Sequence, residues 1–310
     1  MKSTVIDGHE AHDIRQQVNK VLRGLGNPDP PLSLDDVREL LKLDRRFYSG
    51  NDQSAVREVV SRLMVAGKQV LRRPTLLFDA ITKAKLSALW IPDKKRILID
   101  ETKPKLKHRW CEAHEIGHSI IPWHEHLLLG DNEFSLHPNC HSQLEAEANY
   151  AAGQLLFLQN HFTVQAQGHA LGLAAIKTLK EVFRNTLSST LWRYVEELGE
   201  DTPLVGMISD HPHKPSAEFD PTKPCRHFIQ SAAFQRRFSN VSETQLFSKI
   251  RGYCGFQSGG PLGEDQIVLR DDNGDSHLFH FESFSNRYDV LTLGRYLRHC
   301  GVAVAISSTR

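Results

Sequence analysis

The stretch HRWCEAHEIGHSIIPWH, residues 108–124, decides how the rest of the chain is read. His114 and His118 are four residues apart, so on a helix their imidazoles leave one face about one turn apart. That spacing lets both rings bind one tetrahedral metal ion, and zinc is the ion it suits. Trp110, Gly117 and Ile121 share the face and predict that it is buried. Gly117 has no side chain, which allows a second helix or strand to come close to the metal. Glu115 projects beside the histidines rather than with them, the position of a base acting on metal-activated water.

A catalytic zinc needs three protein ligands and one open position. The third is sought in HSQLEAEANYAAGQLLFL, residues 141–158. Glu145 and Glu147 are both available, but two residues on a helix differ by about 200° in direction, so they cannot both face the metal. Glu145 shares its face with Ala148, Asn149 and Ala152, small residues that permit close packing. Glu147 goes with Tyr150, Ala151 and Gln154. Glu145 is therefore the expected ligand, and Asn149, one turn on, is placed to hydrogen-bond a ligand imidazole. For a donor to a transition-state oxyanion beside the metal, His141 is the first candidate and Tyr150 the second. His124, His126 and His137 crowd the same loop and receive no role.

The flanking sequence predicts an α+β chain. LSALWI (86–91) and RILID (96–100) are short apolar runs separated by Pro92–Lys95 and read as a hairpin. The motif helix starts after Pro104, a loop runs from Pro122 to Ser142, and helices follow at about 143–159 and 173–198. Upstream, the apolar spacing predicts helices over 9–25 and 54–71, with a shorter one capped by Ser33 between them. Downstream, His211–Cys225 contains four prolines and reads as a linker. A helix near 243–250 and two strands joined by an Asn273-Gly274 turn then predict a small α+β domain. The expected division is a helical region at 1–80, a domain bearing the motif at 81–210, the linker at 211–225 and a C-terminal domain at 226–310.

These segments resemble the ImmA/IrrE metallopeptidases. That family pattern is a hairpin, a helix bearing HExxH, and a helix reading E-x-x-A-(N/D)-x-x-A-A-x-x-L. Here the last part runs from Glu145 through Ala148, Asn149, Ala151 and Ala152 to Leu155 and Leu156. The likeness covers residues 86–200, departing at Phe157-Leu158, where relatives often carry Met-Pro. It implies a mainly helical, zincin-like core with a small sheet and one zinc on His114, His118 and Glu145. It also implies peptide hydrolysis with Glu115 as base, on a partner such as a transcriptional repressor or antitoxin-like protein, in a stress or defence response. Many relatives carry an N-terminal helix-turn-helix domain whose pattern is absent from residues 1–80, and residues 226–310 match no family pattern. Their expected role is sensing or partner docking.

Composition narrows the class without naming a partner. The 310 residues are 40% hydrophobic and 24% charged, which is ordinary globular usage. No run of about 18 apolar residues exists and the N-terminus turns polar after six residues, so a cytoplasmic protein with no membrane span is expected. Five scattered cysteines form no C-x-x-C pair, so neither a disulfide framework nor a thiolate zinc site is suggested. The net charge is +1, yet residues 83–109 hold nine basic and three acidic side chains. That run reads first as a solvated hairpin and helix start and second as a nucleic-acid surface. The competing function is accordingly a regulatory DNA- or protein-binding module on the same fold. The intact Glu115 favours the peptidase, since a scaffold has no need of it.

Overall fold

The computed structural model describes residues 8–48, 88–91, 95–101, 105–128 and 138–300. Two compact units divide the chain. The first runs to Gln159 and takes in Phe183–Asn185, and the second comprises Asn160–Val182 and the chain from Thr186 onward. Each mixes helix with sheet, so the fold class is α+β.

In the first unit, α1 (Gly8–Gly24) buries Ile14, Val18, Val21 and Leu22, one stripe at helical spacing. Ser33 caps α2 (Leu34–Leu41) by accepting from the Asp36 N–H, and Lys42 ends it in the left-handed region. The chain then enters β1 (Asp44–Tyr48), a strand in a region expected to be wholly helical. β1 runs parallel to β3 (Arg96–Asp100), which pairs antiparallel with β2 (Ala88–Ile91) in the order β1-β3-β2. The hairpin is present, but the expected boundary at residue 80 is not, because β1 is hydrogen-bonded into the hairpin's sheet. The helix expected at 54–71 lies outside the described residues.

Among the described residues of this unit, three further helices follow: α3 (Lys105–Ile120), α4 (Pro122–Leu128) and α5 (Pro138–Leu156). The stretch expected as a loop from Pro122 thus contains a helix, with proline at a first helical position where it loses no hydrogen bond. On α3, Glu112 is buried and receives Arg38 of α2 at 2.6 Å and Arg45 of β1 at 2.8 Å. Arg109 donates to the Leu32 carbonyl at 2.9 Å. These bonds fasten the N-terminal elements to the helix that carries the motif. Among the described residues, no helix is long and apolar enough to cross a membrane.

The second unit begins with α6 (Asn160–Gln167), α7 (Leu173–Phe183) and α8 (Leu187–Leu198). The single helix expected over 173–198 breaks where Arg184 takes a positive φ of 51° and Thr186 caps the next helix through the Ser189 N–H. Five antiparallel strands follow: β4 (Leu204–Ser209), β5 (Cys225–Gln230), β6 (Gly260–Arg270), β7 (Ser276–Ser285) and β8 (Val290–His299). Their order is β5-β4-β8-β7-β6. Between β5 and β6, α9 (Ala232–Arg237) and α10 (Glu243–Tyr253) cover an aromatic core of Phe234, Phe238, Phe279 and Phe281. Gly274, at φ 89°, makes the expected turn between β6 and β7.

The proline-rich stretch is not a free linker. His213 bonds the Cys254 carbonyl at 2.9 Å and stacks on Phe256, while Phe219 packs against Phe247. It joins β4 to β5, which are neighbours in one sheet, so no boundary falls at 210. β4 is buried along its whole length and sits between β5 and β8. A central strand cannot be left out of the domain whose sheet it builds.

Candidate metal centre

Gly117 brings the two helices of the site together. A Cβ there would lie 2.7 Å from the Ala148 carbonyl oxygen and 3.2 Å from the Ala151 Cβ, so α3 and α5 touch backbone to backbone at this point. That approach sets His114 and His118 of α3 against Glu145 of α5. One ligand atom from each lies within 4.8 Å of the others. His114 Nε2 is 3.2 Å from His118 Nε2 and 3.2 Å from Glu145 Oε2, and His118 Nε2 is 3.6 Å from Glu145 Oε1. Two imidazole nitrogens and a carboxylate oxygen directed at one spot match the donor set of a catalytic zinc with one position open. The His114 ring is oriented from behind by Asn149, whose Oδ1 lies 3.0 Å from Nδ1. The Glu145 side chain is 42% exposed, so the centre opens toward solvent on that side.

Electrostatics divides the four groups. Burial makes the His118 ring hard to protonate and lowers its pKa to about 4, against the pull of Glu145. Burial also lowers His114, but its bond to Glu145, the charges of Glu115 and Glu145, and its bond to Asn149 outweigh that, and the net shift is upward. Burial raises the Glu145 carboxyl, yet the two histidines hold it well below the usual range. Glu115 is 5% exposed. Burial pushes its carboxyl up to about 7, with the Glu145 charge adding to the rise. His114 and a hydrogen bond from the Trp90 backbone N–H oppose it.

Two further residues stand directly behind the centre. His124 lies with its Nδ1 2.9 Å from His118 Nδ1, and its Nε2 is 2.8 Å from Glu147 Oε2. Trp123 donates to the same Glu147 oxygen at 2.6 Å. Burial raises the Glu147 carboxyl, but its bonds from His124 and Trp123 leave it below the ordinary value. In the sequence Glu147 is marked only as a rival ligand, and His124 has no role. The available signal was a carboxylate on the face that also carries Ala151 and Gln154, both buried. Of the oxyanion candidates, Tyr150 accepts a hydrogen bond from Arg15 of α1 at 3.0 Å. The side chain of His141 lies outside those described.

No family model matches the chain, and no curated protein matches it. Among solved structures, a Mycobacterium tuberculosis transcriptional regulator is similar in fold. Its TM-score is 0.50, over 92% of this chain and 76% of that one, at 12% identity. The likeness is one of architecture.

Proposed function

We propose that the chain is a zinc-dependent endopeptidase that cuts a specific protein partner, with His114, His118 and Glu145 as ligands of one zinc ion and Glu115 as the base. The observation that carries this reading is the convergence of those three ligand atoms beside a buried carboxyl whose pKa stands near 7. Bound zinc would supply a Lewis acid that acidifies water and polarises a carbonyl. Glu115 takes the proton from the attacking water and returns it to the leaving amine, and a base with a pKa near neutrality is matched to both transfers. Its burial keeps bulk water from competing for that proton. Asn149 holds the His114 ring in place while this happens.

The resemblance of residues 86–200 to the ImmA/IrrE pattern supports a zincin-like core and a cytoplasmic target, such as a repressor or antitoxin-like protein, in a stress or defence response. The second reading is a regulatory binding module on the same fold. It is kept because the similar solved structure is named a transcriptional regulator. Proteome comparison of cells carrying the wild-type chain or Glu115→Gln separates the two. The peptidase yields protein fragments that only the wild type produces. A regulatory module yields none, and its Glu115→Gln variant supports the full response.

A further inference from the structure

We propose that a cleft at one end of the second unit's sheet binds a small phosphate monoester, with Arg287 and Lys214 on the phosphate and Phe284 against the organic part. The cleft, about 670 Å³, opens between the start of β6 and the turn that joins β7 to β8. Ser258, Gly259 and Gly260 line it from one stretch of chain, and Phe284, Ser285 and Arg287 from the other. Hydrogen bonds tie these two stretches together. Ser285 Oγ donates to the Ser258 carbonyl at 3.1 Å and accepts from the Arg287 N–H at 3.2 Å. Within the turn, Asn286 Oδ1 accepts from the backbone N–H groups of Tyr288 and Asp289 at 2.9 and 2.7 Å. The space is preformed, as small-molecule sites generally are.

Its charge selects an anion. Arg287 is exposed, and its guanidinium has no hydrogen bond or ion pair among the described residues. Lys214, also exposed, donates to the Ser258 hydroxyl at 2.9 Å. Lys177 of α7 stands over the Phe284 ring, 3.7 Å from its centroid. Among the described residues no carboxylate lines the cleft, and the one on the turn, Asp289, lies 3.0 Å from Arg226. Cations gathered on a concave surface without a carboxylate raise the local potential and draw in an anion. The backbone adds a second observation. Arg287 has a φ of 79°, a left-handed conformation that glycine adopts at less cost. Its stem lies across Gly259, where a Cβ would come 3.2 Å from the Arg287 Cγ and 3.5 Å from Nε. A turn made only to reverse the chain has no need of arginine there. A phosphate monoester fits the donors: its tetrahedral oxygens can meet a guanidinium fork, an ammonium and a hydroxyl at once. The volume is far more than a bare ion fills, and Phe284 supplies an apolar surface for the remainder.

The test is calorimetric titration of the full-length protein at neutral pH with phenyl phosphate, inorganic phosphate and succinate. Phenyl phosphate is expected to saturate one site and to bind at least about 10-fold more tightly than the other two. Arg287→Gly should weaken it by about 10-fold or more with thermal unfolding close to wild type, because glycine suits the backbone at that position. Lys214→Ala should weaken it in the same direction. No saturation by about 10 mM phenyl phosphate overturns the proposal. Wild-type affinity in both variants also overturns it, since the binding then lies elsewhere. Succinate binding as tightly as phenyl phosphate refutes the phosphate assignment, and inorganic phosphate doing so refutes the place given to Phe284. The cleft shares no residue with the metal centre, so these outcomes are independent of the zinc reading.

Discussion

The interiors of the two units are built from opposite materials. Around α3 and α5 the first unit buries Glu112, Glu115, His118, His124 and Glu147. Around β7 the second buries rings: Phe279 meets Phe238 and Tyr296 edge to face, and Phe234 stacks on Phe238. Apolar burial stabilises in proportion to area, and aromatic pairs add about 0.5–1.5 kcal/mol each beyond it. Buried charges destabilise unless partnered, and paired ones are often no better than a well-packed apolar core. The aromatic part of the second interior is therefore accounted for by stability alone, and the buried His277 on β7 is paired with Asp271 at 3.0 Å. The first is not. Glu112, His118, His124 and Glu147 all have close partners, which limits the cost of their burial without explaining why they are there. Glu115, buried and within reach of the His114 charge, is the residue whose burial the proposed peptidase chemistry would explain.

Substitutions should expose this difference. The largest expected effect on folding is Phe279→Ala, which removes a fully buried ring from the aromatic core and should lower stability by about 3–5 kcal/mol in thermal or denaturant unfolding. A cost below about 1 kcal/mol would mean that β7 is not central to its unit. Glu115→Gln is expected to act on the other axis. It should leave folding and zinc content unchanged while reducing cleavage of the partner by about 100-fold or more, the scale of a lost general base. Gly117→Ala tests how the site is assembled. The added methyl meets the Ala148 carbonyl and should cost about 1–3 kcal/mol by overpacking, with weaker zinc binding as α3 and α5 separate. Unchanged stability and affinity would show that the helices can part freely. The smallest effect expected is Thr186→Ala, which loses the cap of α8 and should cost about 1 kcal/mol with no change in zinc content.

What could be read from the sequence follows the same division. His114, His118 and Glu145 were legible because helix geometry alone fixes which side chains share a face, and the small residues around Gly117 and Ala148 marked the contact. The β6–β7 turn was legible because Asn273-Gly274 suits a positive φ. β1 was not legible. DRRFY is mostly charged, and it joins the sheet beside β3 with Arg45 paired to Glu112 and Asp44 to Arg96, both distant in sequence. LVGMIS, which is β4, was passed over because the prolines after it imitate a linker, although their segment packs back on its own unit. The placement of His124 and Glu147 depends on three helices meeting, and no local spacing carries that information.

The central claim is that His114, His118 and Glu145 form a zinc centre. Elemental analysis of freshly purified full-length protein, before and after adding zinc, tests it most directly. The account predicts about one zinc per chain in the wild type and in Glu115→Gln, and loss of that zinc in His114→Ala and in Glu145→Ala. A wild-type protein that carries no metal and takes up none, or a His114→Ala variant that keeps its full zinc, would contradict it.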